Sequence, residues 1–178
     1  VGDQASGKTS LIRALLACER GDELPRTLSK SYHMTINPEV SVQSVTIPAG
    51  CVEFNIIDAA GLTNTLEDDI LIRHFVNDPE MLFAFVFDVN SPSSAGGLEK
   101  WWKLIEKAKT GDRKGFIRGV VIGAKCDLPE YKGRREAERI AKEFARKVGM
   151  DYHQTSAVIG ASVEGPFKHL AELMVGDE

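Results

Sequence analysis

Eight consecutive residues near the start of the chain, Gly2-Asp3-Gln4-Ala5-Ser6-Gly7-Lys8-Thr9, have the types and spacing of a loop that cradles phosphate. Its glycines let the backbone curl so that successive N–H groups point at an anion, and the helix that follows directs its positive N-terminal end to the same place. Lys8 would reach the β- and γ-phosphates, and the Thr9 hydroxyl would ligate Mg²⁺. A Gly-rich turn of purely structural use would have little need of Lys-Thr at a helix start. The loop by itself implies a nucleoside triphosphate and leaves the base open.

Three later motifs, in this order, choose the base. Asp58-Ala59-Ala60-Gly61 ends an alternating stretch as D-x-x-G, where a carboxylate can hold Mg²⁺ through water and the Gly61 N–H can sense the γ-phosphate. Ala124-Lys125-Cys126-Asp127 ends an apolar run. A carboxylate at Asp127 can accept both N1–H and N2–H₂ of guanine, a donor pair that adenine lacks, and such a charge-assisted pair discriminates strongly. The Lys125 stem would lie along the base. Thr155-Ser156-Ala157 then supplies an N–H, at Ala157, for guanine O6.

These residues need a scaffold, and the alternation of strand and helix patterns from end to end predicts an α/β fold, a mostly parallel sheet covered on both faces. Leu11, Ile12, Leu15 and Leu16 give the first helix its apolar face, and residues 19–33, polar and containing Pro25, read as a loop. Stretches 40–47 and 51–57 form a hairpin around Pro48-Ala49-Gly50, while 81–89 and 119–124 are continuous apolar runs suited to buried central strands. Residue 152 to residue 154 makes a last short strand. Helices are predicted over 66–76, over 98–109 with Trp101, Trp102 and Ile105, over 134–148 closed by Gly149, and at the end of the chain with Pro166 in the first turn. One of the two adjacent tryptophans belongs to the core and the other is free for a partner. The charges between Arg134 and Arg146 read as a solvated helix face, Arg26 as an exposed loop charge, and the four histidines show no ligand spacing. Residues 1–178 read as one domain, without repeat or linker.

Composition narrows the classes further. A net charge of −4 with 27% charged residues gives no electrostatic case for nucleic acid or an acidic membrane. Cys18, Cys51 and Cys126 lack metal spacing and read as reduced intracellular thiols. No apolar run approaches the ~18 residues of a membrane span. No Cys stands near the C-terminus, so no prenyl anchor of the usual kind is expected. The phosphate loop begins at Gly2 with no strand ahead of it, so the first strand of the sheet is expected to be truncated before Val1.

Together these motifs resemble the Ras superfamily of small GTPases over the whole chain, and within it the Rab branch: Ser31-Tyr32-His33-Met34-Thr35-Ile36 followed by strand, turn, strand and Asp58-Ala59-Ala60-Gly61 parallels the Rab pattern S-Y-x-x-T-I-G…W-D-T-A-G. The resemblance implies the Ras-like P-loop fold with six strands, GTP or GDP and Mg²⁺ as ligands, and a soluble cytoplasmic protein. Phosphate contacts would come from Asp3, Gln4, Ala5, Ser6, Gly7, Lys8, Thr9 and Ser10, with Thr35 and Gly61 at the γ-phosphate. Lys125, Asp127, Leu128, Ser156 and Ala157 would frame the base. Metal ligands would be Thr9, Thr35 and, through water, Asp58. His33, Met34 and residues 37–40 would line an effector face for protein partners.

Departures from the family pattern carry information of their own. Leu62 stands where Rabs have the catalytic Gln and cannot orient water, so no catalytic side chain is assigned and hydrolysis is expected to be slow. Gln4 replaces a small residue and would crowd the γ-phosphate. Ala124 replaces the Asn of N-K-x-D and removes a bond to the base and a brace to the loop. Asn37-Pro38 replaces the Gly after Thr-Ile, and Ile57 the Trp before the switch II Asp. The opening Lys30-Ser31-Tyr32, the strand Val40-Ser41-Val42-Gln43-Ser44-Val45-Thr46-Ile47-Pro48, the missing Gln and Glu164-Gly165-Pro166-Phe167 resemble the Rab-like GTPase subunit of the intraflagellar transport B complex. That likeness implies other transport subunits as partners and a cilium or flagellum as location, although a Pro-Phe pair also suits a simple helix start with a core Phe. A vesicle-traffic Rab and a nucleotide-stabilised structural subunit without hydrolysis are the alternatives.

Overall fold

The computed structural model describes residues 1–20, 35, 39–59, 61, 76–109 and 117–176. Its elements run α1 Lys8–Arg20, β1 Glu39–Ile47, β2 Gly50–Asp58, β3 Leu82–Asp88, α2 Pro92–Ala108, β4 Arg118–Ala124, α3 Arg134–Val148, β5 Asp151–Gln154 and α4 Glu164–Val175. The period of two along a strand sends alternate side chains to opposite faces, and β3 shows the result. Phe83, Phe85 and Phe87 join Val121, Trp101, Ile105 and Phe144 in one core, beneath α2 and α3. Leu82, Ala84 and Val86 face the other way, with Val120, Ile122, Leu11, Leu15, Phe167 and Leu170 under α1 and α4. Helices therefore cover both faces, as an α/β fold requires.

The described strands fall into two sheets, and the one six-stranded sheet expected is not seen among them. Among the described residues β1 and β2 are an antiparallel pair, from Glu39 opposite Asp58 to Ile47 opposite Gly50. Strands β3, β4 and β5 form a separate parallel sheet in that order. Between them lies a cavity of about 520 Å³, lined by Phe54, Ile56, Leu82, Ala84 and Val86 among others. Val1 enters it: its nitrogen donates to Ala84 O at 2.8 Å and its carbonyl accepts from Val86 N at 2.8 Å. Those are the two bonds of a parallel neighbour to β3.

Helix α2 begins at Pro92, earlier than the apolar pattern suggests. The Ser91 side chain caps it by accepting from Ser94 N at 3.2 Å, and Pro92 occupies the first turn, where a missing N–H costs nothing. Gly96 and Gly97 sit inside the helix instead of breaking it. Trp101 is 1% exposed, and Trp102 packs edge-on against Phe144 with ring centroids 6.1 Å apart, so both tryptophans serve the core. The predicted helix over 66–76 lies outside the described residues but for Val76, which is buried. Helix α3 keeps its predicted bounds and ends on Gly149 in the left-handed conformation.

Strand β5 and helix α4 are joined by two histidines. His153 Nε2 and His169 Nδ1 lie 3.1 Å apart, and His169 Nε2 is 3.2 Å from Asp151 Oδ2. A carboxylate only accepts, so His169 carries its proton on Nε2 and receives one from His153 at Nδ1. Burial, with the neighbouring His169 second, holds His153 below its ordinary value of 6.5, against the opposing pull of Asp151. A His whose pKa is lowered by folding contributes stability above its unfolded pKa and loses it as pH falls. The melting temperature should therefore drop between pH 7.5 and 5.5, and H153Q should show a smaller drop in the same thermal melts.

Candidate functional site

In parallel strands the C-terminal ends point the same way, and the loops that leave them meet at one edge of the sheet. The structure places residues of four motif segments there: 2–7 ahead of α1 with Lys8 and Thr9 in its first turn, Asp58, Ala59 and Gly61 at the end of β2, 124–128 at the end of β4 and 154–157 at the end of β5. Side chains link them in pairs. Thr9 Oγ1 lies 2.9 Å from Thr35 Oγ1 and donates to Asp58 Oδ2 at 2.5 Å. The three residues singled out as metal ligands thus converge. Asp58 is 5% exposed, and its other carboxylate oxygen, Oδ1, is buried without a hydrogen-bond partner among the described residues. A dry carboxylate with one oxygen unsatisfied is a strong acceptor for a hard divalent cation or its bound water, so this donor set of hydroxyls and carboxylate fits Mg²⁺. Lys8 stands nearby with Nζ donating to Gly2 O at 2.9 Å and Asp3 O at 3.0 Å. Burial lowers its pKa, while Asp58 and Asp3 pull it back up.

The loop is held from three sides. Gly61 lies so close to it that a Cβ there would be 2.4 Å from Gln4 N, hence the glycine of D-x-x-G. Lys125 Nζ donates to Ala5 O at 2.7 Å and to Asp88 Oδ2 at 2.7 Å, tying the base motif to the phosphate loop. Both Ala5 and Lys125 have positive φ, 59° and 65°, an uncommon conformation for side-chain-bearing residues. The Asp3 carboxylate accepts from the Trp101 indole N–H at 3.2 Å and rests on α2 at Gly97, where a Cβ would be 2.2 Å from Asp3 Oδ2. Ser6 and Gly7 continue the turn, the Ser6 N–H bonding Asp3 O at 3.2 Å, and Ser10 lies in the first turn of α1.

At the other end of the site, Ser156 Oγ donates to Asp127 Oδ1 at 2.5 Å and accepts from Ile159 N at 3.3 Å. That bond ties the Asp127 carboxylate to the segment after β5 that Ala157 continues, and Leu128, next to Asp127 in the chain, is exposed. Cys126 keeps its proton, its pKa raised by burial first and Asp127 second. Ala124 pairs across the sheet with Asp88, and the Thr155 N–H bonds Gly123 O at 2.8 Å; Thr155 Oγ1 is buried with no partner among the described residues. Leu62, His33, Met34, residues 37–38 and Arg26 lie outside the described residues.

Sequence reasoning missed Asp88, Trp101 and Arg134 as parts of this site. Asp88 carried a signal, since it ends a buried parallel strand as Asp58 ends β2. Trp101 carried none, because its partner Asp3 is distant in the chain, and Arg134, which bonds carbonyls six and eight residues before it, is not told apart by sequence from the other charges of its helix.

Comparison with known proteins agrees with this geometry. Residues 1–175 match the family model described as Ras family, so the chain belongs to the Ras family, whose small GTPases bind guanine nucleotides, generally with Mg²⁺. It is 30% identical over 175 residues to Intraflagellar transport protein 27 of Chlamydomonas reinhardtii, covering 96% of this chain and 79% of that protein. Against the human Intraflagellar transport protein 27 homolog it is 31% identical over 173 residues, 96% and 85% of the two chains. Rab-15 of Rattus norvegicus is 25% identical over 178 residues, covering 98% of this chain and 74% of that one.

The Asp3 contact makes two neighbouring glycines behave oppositely. Ala in place of Gly inside a helix ordinarily adds up to about 1 kcal/mol. G96A, whose Cβ meets nothing within 4 Å, should show that gain in urea unfolding. G97A should lose it by displacing Asp3 from Trp101, and the gain should return in the double variant G97A/D3A.

Proposed function

We propose that this chain is a single Rab-like GTP/GDP-binding switch domain, dependent on Mg²⁺ and slow to hydrolyse GTP, that serves as a subunit of an intraflagellar transport complex. The observation that carries the nucleotide reading is the convergence of Thr9, Thr35 and Asp58 at the edge of the sheet that also presents the Asp127–Ser156 pair. Thr9 and Thr35 hold the metal, with Asp58 behind a water; the ion, when bound, supplies positive charge to the phosphates. Lys8 and the N–H groups of residues 3–10 hold phosphate, Gly61 and Thr35 meet its terminal group, and Lys125, Asp127, Leu128, Ser156 and Ala157 frame guanine. None of these side chains is placed to take a proton from attacking water, and Leu62 cannot orient one. The likeness to two proteins named for intraflagellar transport supports the complex, with protein partners meeting the switch regions and a helical face, and a place in the cilium or flagellum. The 520 Å³ cavity and the two bonds of Val1 support a sixth strand between β2 and β3, which would unite the sheets in the Ras-like order.

One observation favours a second reading, a structural subunit that binds nucleotide weakly. It is Ala124 standing where the Asn of N-K-x-D would bond the base, with the buried Thr155 hydroxyl without a partner among the described residues. Nucleotide released on denaturing the purified protein separates the two: guanine nucleotide favours the switch, its absence with micromolar or weaker rebinding the structural subunit. Co-purification of the protein from cells with flagellar transport subunits, rather than vesicle tethers, tests the assignment to a complex.

Two outcomes are expected in vitro. Single-turnover GTP hydrolysis should run slower than in ordinary Rabs, and a rate equal to theirs would sink the slow-enzyme claim. A124N should restore the side-chain bond to the base that Ala124 lacks and slow GDP dissociation by roughly 2- to 12-fold, the range of one neutral hydrogen bond. Release of a fluorescent GDP analogue measures it.

A further inference from the structure

Arg134 is the first residue of α3, where the helix's own positive end disfavours a cation. Gly133 before it offers no side-chain cap. The side chain nevertheless turns back over the helix start and is 16% exposed. Its Nη1 donates to Leu128 O at 3.2 Å and to Cys126 O at 3.4 Å, and Nη2 reaches Cys126 O at 3.5 Å. Its Nε donates to Glu138 Oε1 at 3.1 Å, one helical turn on. Glu138 is fixed in turn by Gln154 Nε2 at 3.0 Å, which ties the arrangement to β5.

The two carbonyls gripped by this guanidinium flank Asp127. Pinning them sets the height and direction at which the Asp127 side chain leaves the backbone, while Ser156 sets its torsion. A planar fork can hold two carbonyls and a carboxylate at once; an ammonium cannot reproduce that geometry. We propose that Arg134 is a positioning residue for base recognition, fixing the turn at 126–128 so that the Asp127 carboxylate meets the N1–H and N2–H₂ of guanine. The inference rests on the guanine-nucleotide reading above.

The test compares GDP with inosine diphosphate, which shares the phosphates, O6 and N1–H but lacks the N2 amine. Dissociation constants for both are measured on the wild type, R134K, R134A and E138Q, with thermal melts alongside. The ratio of the inosine to the guanosine constant should fall by about fivefold in R134A, the scale of one hydrogen bond, and by less in R134K and E138Q. General loosening of the fold weakens both nucleotides alike and leaves the ratio unchanged. An unchanged ratio in R134K and E138Q, both folded, overturns the proposal even if R134A fails to fold. A wild type that binds neither nucleotide overturns the guanine reading itself and this inference with it.

Discussion

The site is organised around a charge that is largely withdrawn from water. Asp58 ends β2 almost fully buried, with one oxygen held by Thr9 and the other unpaired among the described residues. A carboxylate in that position is costly unless positive charge stands close. Lys8 supplies part of it from within the fold, at the expense of its own solvation. A divalent cation beside Thr9 and Thr35 would supply the rest, so empty and filled sites differ in electrostatic balance as well as contacts.

Placing that charge requires the layered fold. The hairpin delivers Asp58, and the parallel sheet delivers Asp88 and the loops after Ala124 and Gln154 to the same edge. Helices on both sides then brace the loops. Trp101 reaches from α2 to Asp3, and Arg134 reaches from α3 to Cys126 and Leu128. Each brace uses a long, amphipathic side chain whose stem packs while its polar tip makes the bond. The core and the site are thus built partly from the same residues.

The chemistry of the site was legible in the sequence because each motif is short and local. A phosphate loop, a carboxylate at a strand end and a T-S-A turn are each specified by neighbours in the chain. Helix α3 was legible to its bounds for the same reason, its period and Gly149 being local. What escaped were cross-chain relations. The predicted helix began only at residue 98, yet Gly96 and Gly97 lie inside α2, and Gly97 is where Asp3 rests. Arg134 looked like one of several solvated charges, and only the fold brings Leu128 O within its reach. The single six-stranded sheet was implied by the family resemblance, and alternating patterns by themselves do not report whether neighbouring strands are hydrogen-bonded.

The bond between Lys125 Nζ and Ala5 O joins two residues that both sit in the left-handed region. Each such conformation costs on the order of 1–3 kcal/mol and persists only when its surroundings enforce it. Here part of the enforcement is mutual. Release of either backbone to its preferred basin removes a contact that restrains the other. The phosphate and base halves of the pocket are therefore linked as a latch, and its opening should be all-or-none in character, with little population in between.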